Sequence, residues 1–169
     1  MNCECLMPKS SRYFLKDKDS RKFIEEISET LHLDVENLFG KKVRVEVKET
    51  ENGDLFFFNG KPLLARLNGI IFPTLLHEEL FSIFPKIVVD MGAVPYVCKG
   101  ADIMAPGVVS IKGDFDVGQV VIIVDERHNK PLAVGLVKFS SDELRTLSGG
   151  KIVKNIHYVG DKLWDVMKG

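Results

Sequence analysis

The stretch Lys99-Gly100-Ala101-Asp102-Ile103-Met104-Ala105-Pro106-Gly107 sets one cation and two glycines around a short apolar segment. Gly100, Pro106 and Gly107 punctuate the chain, leaving small side chains and backbone N–H groups where a phosphate oxygen could approach. A turn of helix over 101–105, beginning beside Lys99, is expected to add donors and positive charge to the same spot. The plainer alternative is that Ile103 and Met104 plug a core and the glycines only permit the bend. Further along, Lys112, Lys138, Lys151 and Lys154 would each neutralise one phosphate if they shared that face, and otherwise form a solvated scatter. His157 and Tyr158, in Asn155-Ile156-His157-Tyr158, offer an imidazole and a ring for stacking on an unpaired nucleotide. A packing role for them is equally open, since an alternating strand buries one of each neighbouring pair. Trp164, in Asp161-Lys162-Leu163-Trp164, reads as a packing anchor.

Catalysis finds little support. Asp90 and Asp102 could form an acid–base pair, but no glycine-rich phosphate loop and no nucleophile with a recognisable helper accompanies them. We therefore expect no enzyme activity, no cofactor and no metal. Cys3 and Cys5 could supply half of a metal site, yet His32, His77, His128 and His157 are scattered singly. The 169 residues are 45% hydrophobic and 28% charged, an ordinary globular composition. With 23 Lys and Arg against 24 Asp and Glu the net charge is −1, so any polyanion-binding face must be local. No apolar run reaches the roughly 18 residues of a membrane span. The start lacks the features of a signal peptide, and three cysteines cannot all pair; a reduced, cytoplasmic protein is expected.

Positioning these residues falls to two kinds of chain. Phe23, Ile24, Ile27 and Leu31 recur at helical spacing, which predicts an amphipathic helix over 19–31 capped by Asp19 or Ser20. A helical turn over 34–39 should stop at Gly40. Val43, Val45 and Val47 alternate with charges, and Asn52-Gly53, Asn59-Gly60 and Asn68-Gly69 then punctuate apolar runs, predicting an antiparallel meander. Phe56, Phe57 and Phe58 put rings on both faces of one strand, each face expected to be covered. Thr74 should open a further helix that ends near Pro85. Beyond it, short strand-like runs at 87–89, 93–98, 108–111, 119–124, 132–139 and 151–158 predict a small barrel, with helix at 141–147.

Residues 93–108, Gly118-Gln119-Val120-Val121, Leu132-Ala133-Val134-Gly135 and Asn155-Ile156-His157-Tyr158 together resemble a PUA domain, an RNA-binding barrel of about six strands with a helix after the first. With Asp161-Lys162-Leu163-Trp164 and the α/β half in front, residues 16–165 resemble the family of the malignant T-cell-amplified translation factor, in an archaeal form. The resemblance implies an α+β chain: a pre-PUA α/β domain with its meander over 1–85, of which 1–15 would be a loose tail, then a mixed β-barrel PUA domain over 86–169. It implies a non-enzymatic RNA-binding protein acting on tRNA or rRNA of the small ribosomal subunit, in translation initiation or recycling. A partner similar to density-regulated protein is implied too. The residues carried over from the family are Lys99, Gly100, Ala101 and Asp102. Two other roles stay open: an adaptor that recruits a protein through its phenylalanine-rich half, and an accessory RNA-binding subunit of a modifying enzyme.

Overall fold

The computed structural model describes residues 12–169, so Cys3 and Cys5 lie outside the described residues. The chain divides into two compact units after Phe72, whereas composition places the break near Pro85. The cause is the segment after Pro73. It forms no helix beyond a 3-10 turn at Phe81–Ile83, and the Leu75 N–H donates to His157 of the second unit instead of to a helical carbonyl.

In the first unit, β1 (Arg12–Phe14), β2 (Val45–Thr50), β3 (Gly53–Phe58), β4 (Lys61–Leu67) and β5 (Ile70–Pro73) form one sheet in that order. β1 pairs antiparallel with β2, so residues 12–14 are a strand rather than part of a tail. Asn59-Gly60 and Asn68-Gly69 carry positive φ at both positions (51° and 83°, 51° and 78°), the backbone of hairpin turns that match strand twist. Helix α1 (Asp17–Leu31) starts two residues before the expected cap: Lys16 precedes it without a side-chain bond, and Asp17 and Asp19 in the first turn complement the positive end of the helix dipole. Its Phe23 ring stacks on Phe56 at 4.0 Å. Helix α2 (Val35–Phe39), capped by Asp34, brings Phe39 to 4.7 Å from Phe58. The alternate ring, Phe57, lies beneath the Arg12 guanidinium at 3.9 Å. Both faces of β3 are therefore covered, as alternation of three rings requires.

The second unit is a mixed six-stranded sheet that curls into a partial barrel. It comprises β6 (Lys86–Val89), β7 (Ile103–Met104), β8 (Val108–Lys112), β9 (Val120–Asp125), β10 (Pro131–Val137) and β11 (Lys151–Tyr158), ordered β7-β11-β10-β9-β6-β8. Only β6 and β9 run parallel among the described pairings. β9 is buried at every position, the continuous apolar run of a strand covered on both faces. Ile87, Val121, Ile123, Val137, Ile152 and Val153 belong to the core beneath it. Helix α3 (Val94–Val97) replaces the strand expected at 93–98, and β7 with a 3-10 turn at Ala105–Gly107 replaces the helix expected at 101–105. Helix α4 (Ser141–Leu144) carries a complete capping box between Ser140 and Glu143, and α5 (Lys162–Lys168) ends the chain. Leu163, not Trp164, is the fully buried residue of α5. Cys98 is a half-buried free thiol whose pKa burial pushes up.

Asp125 closes β9. Its carboxylate accepts the N–H groups of Arg127, His128 and Lys130 at 2.9, 2.6 and 3.0 Å, organising the turn into β10. The His128 N–H leads those bonds in holding the acid below its ordinary range, against burial. A depressed carboxylate contributes stability above its unfolded value, near 3.9, and loses it as pH falls through the folded value. Thermal melts are expected to plateau above about pH 5 and to decline below about pH 4. Asp125→Asn should lower the plateau and flatten the decline, and an unchanged acid slope would contradict the assignment.

Candidate nucleic-acid interface

Helix α3 is opened by the Asp90 carboxylate, which accepts the Ala93 N–H at 2.8 Å, and by Pro95 in its first turn. Past its end the chain folds back: the N–H groups of Lys99 and Ala101 donate to Tyr96 O and that of Gly100 to Val97 O. Gly100 has φ +92°, and a Cβ there would stand 2.8 Å from Tyr158 Cε1. Glycine is thus required both by the left-handed backbone and by the ring behind it. β11 is stitched to this elbow at Asn155, whose Nδ2 donates to Val97 O and Ala101 O at 3.1 Å each and whose N–H donates to Asp102 Oδ1 at 3.0 Å.

A cleft of about 530 Å3 opens in front of the elbow, walled by Ala93, Tyr96, Val97, Gly100, Ala101, Asp102, Ile103, Met104, Gly107 and Lys151. Its walls are mostly apolar. The Tyr96 side is 68% exposed and Met104 44%. The charged groups of the lining are Lys151, whose side chain is 61% exposed, and Asp102, 3.7 Å away.

Of the residues singled out in the sequence, Gly100, Ala101, Asp102, Gly107 and Lys151 meet in this cleft, while Lys99 and Pro106 are exposed beside it, outside the lining. Lys112 is engaged elsewhere, donating to Asn129 at 3.2 Å, and Lys138 and Lys154 are exposed outside the cleft. Two expectations need correction. The elbow does not present open main-chain donors at Lys99, Gly100 and Ala101, because those N–H groups close the end of α3, a helix that precedes the elbow rather than beginning in it. Nor is His157 a stacking group, since it is fully buried. Tyr158 is half-buried, packed against the core and behind Gly100. Tyr96 and Met104 escape the sequence pattern as walls, because both sit in segments whose apolar runs suggest a different element.

His157 instead anchors the base of the site. Its Nε2 accepts the Leu75 N–H at 3.3 Å, which puts the proton on Nδ1, donated to Asp161 Oδ2 at 2.7 Å. Asp161 also accepts the N–H groups of Tyr158 and Trp164, capping α5. Burial works to raise the Asp161 pKa, but the bond from His157 and those backbone donors outweigh it and hold the carboxyl below its ordinary value.

Residues 85–159 match the family described as PUA domain, and residues 11–77 that described as domain of unknown function DUF1947. Fold, elbow and cleft thus define a PUA-domain protein with a DUF1947 unit in front. The chain is 36% identical over 157 residues to the uncharacterized protein MJ1432 of Methanocaldococcus jannaschii, spanning 91% of this chain and 95% of that one. To translation machinery-associated protein 20 of Schizosaccharomyces pombe it is 34% identical over 137 residues, 77% of this chain and 76% of the other. A solved PUA-domain structure from Aeropyrum pernix, in a tartrate complex, superimposes with a TM-score of 0.79 at 27% identity, covering 94% of this chain and 91% of that one. The chain belongs to the family of translation machinery-associated protein 20 and malignant T-cell-amplified sequence 1.

Proposed function

We propose that this protein binds structured RNA, tRNA or rRNA on the small ribosomal subunit, through its PUA unit, and works in cytoplasmic translation initiation or recycling without catalysing a reaction. The observation that carries the reading is the cleft: an exposed aromatic ring and a loosely held ammonium stand together on glycine-lined backbone. At 3.7 Å, with the Lys151 ammonium on a well-exposed side chain, the Lys151–Asp102 pair contributes little to stability, so Lys151 exchanges its partner for a phosphate at small cost. Tyr96 supplies a face for an unpaired base at the end of a stem. Recognition is thus made by side chains, since the backbone donors of the elbow are spent on α3. The family membership, and the name of the yeast relative, support the assignment to translation.

The test is Lys99→Glu combined with Lys151→Glu, measured by tRNA and small-subunit binding at several salt concentrations. Removing two ammonium groups that neutralise phosphates should weaken binding and reduce the slope of log affinity against log salt by roughly two. Lys154→Glu, outside the cleft, is expected to have the smaller effect. Unchanged affinity and slope in the double variant would dismiss this face.

A further inference from the structure

A second groove lies on the first unit, in segments that carry none of the motifs of the PUA cleft. It measures about 530 Å3, and its lining includes Phe14, Phe39, Gly40, Lys42, Arg44 and Glu46. Phe14 is 46% exposed, and the exposed Arg44 stands over its ring, guanidinium carbon 4.0 Å from the centroid. Of the charges in the lining, Glu46 is held in a two-pronged ion pair by Arg12 at 2.6 and 3.0 Å. That leaves Lys42 and Arg44 as the charges of the lining with no ion pair among the described residues, with Lys41 exposed next to them.

We propose that this groove is a second, separate RNA site, which takes an unpaired base of a single strand into the Phe14–Arg44 stack. A guanidinium resting on a ring keeps its edge N–H groups for phosphate while its outer face accepts a base. Two cations give an acidic peptide little, and the rings give it nothing specific; a nucleotide uses ring and cation together. The volume lies within the range of small-ligand sites. Gly40 leaves its part of the lining open, with φ +90° and no atom within 4 Å of where a Cβ would stand. The site shares no residue with the cleft on the PUA unit, so RNA binding by the two is separable.

The probe is a single-stranded oligouridylate of about ten nucleotides, titrated against the full chain carrying Lys99→Glu and Lys151→Glu, so that the PUA cleft contributes least. Phe14→Ala and Arg44→Glu, introduced singly, are each expected to weaken binding roughly five- to a hundredfold, the range of one stacked base. Both positions are exposed, and circular dichroism and melting temperature should stay at the background values. Photocrosslinking with 4-thiouridylate should label residues 14 and 39–46. The proposal is overturned if oligouridylate affinity is the same with and without Phe14 and Arg44, if crosslinks fall only outside these residues, or if polyglutamate displaces the oligonucleotide with equal affinity, which would indicate an acidic protein partner.

Discussion

His157→Ala is expected to destabilise the PUA unit by about 3–5 kcal/mol, because it removes a hydrogen bond to a mostly buried carboxylate together with a buried ring. Three losses coincide. Asp161 Oδ2 loses the Nδ1 donor, the Leu75 N–H loses its acceptor at Nε2, and a cavity opens at a position with no exposure. An unfilled buried donor alone costs about 1–3 kcal/mol, so replacement by a merely apolar ring does not restore the site. Urea denaturation followed by Trp164 fluorescence reads the effect directly: Trp164 is the chain's one tryptophan, and its backbone N–H donates to Asp161 Oδ1. Adding Asp161→Asn to His157→Ala removes the stranded charge, so the double variant should be less destabilised than the sum of the two singles. Strict additivity would mean that the pair does not act as a unit. The cleft should feel the change as well, since Tyr158, the next residue, packs behind Gly100.

Legibility in the sequence follows the directness of the physical signal. Val45, Val47 and the Asn-Gly pairs announce period-two strands and tight turns, and the meander forms accordingly, because both signals are local. The α1 face is equally plain, but its start is not: the expected caps Asp19 and Ser20 sit inside a helix that begins unaided at Asp17. Residues 93–98 defeat the same reasoning. Ala-Val-Pro-Tyr-Val-Cys is a short apolar run, and such a run does not distinguish a buried strand from a turn of helix by period. What decides is Asp90, a side chain three residues upstream that caps Ala93 and nucleates α3.

The site repeats that pattern. Gly100, Gly107, Asp102 and Lys151 are visible as residue types, and they do meet, because the bend they permit and the β7–β11 pairing bring them together. Which group of each residue faces out depends on the element, and there the local pattern misleads. An amide that would be an open donor in a loop is the closing bond of a helix. His157 is undecidable for a different reason: alternation leaves one of each neighbouring pair inside, and β11 breaks its own alternation through an irregular register. Asn155, an ordinary polar residue by sequence, holds the elbow to the sheet through three bonds that join residues more than fifty positions apart. Local pattern does not contain such a contact.

Gly135→Ala should test that stitching from the other side of the sheet. At a strand position whose backbone alanine can adopt, alanine for glycine is stabilising by about 0.4–1 kcal/mol through the unfolded chain's entropy. At Gly135 the sign reverses. A Cβ would overlap Val153 Cγ1 and press Lys154 O at 3.2 Å, and Val153 is a fully buried core residue whose β-branched side chain is stiff at χ1. The register between β10 and β11 already shifts at Val134/Gly135, so the clash is relieved by moving β11 rather than the side chain. Overpacking of this kind costs about 1–3 kcal/mol, occasionally more, and should appear as a lower midpoint in the Trp164-monitored denaturation. Gly135 pairs with Asn155, so the same displacement pulls on the bonds to Val97 O, Ala101 O and Asp102 and should weaken the RNA binding proposed for the cleft without touching a cleft residue. Val153→Ala in the Gly135→Ala background clears the overlap. That double variant is expected to recover both stability and binding relative to Gly135→Ala, although Val153→Ala alone leaves a cavity and destabilises. A double variant as weak as the sum of its parts would show that close packing of β10 on β11 does not set the position of the elbow.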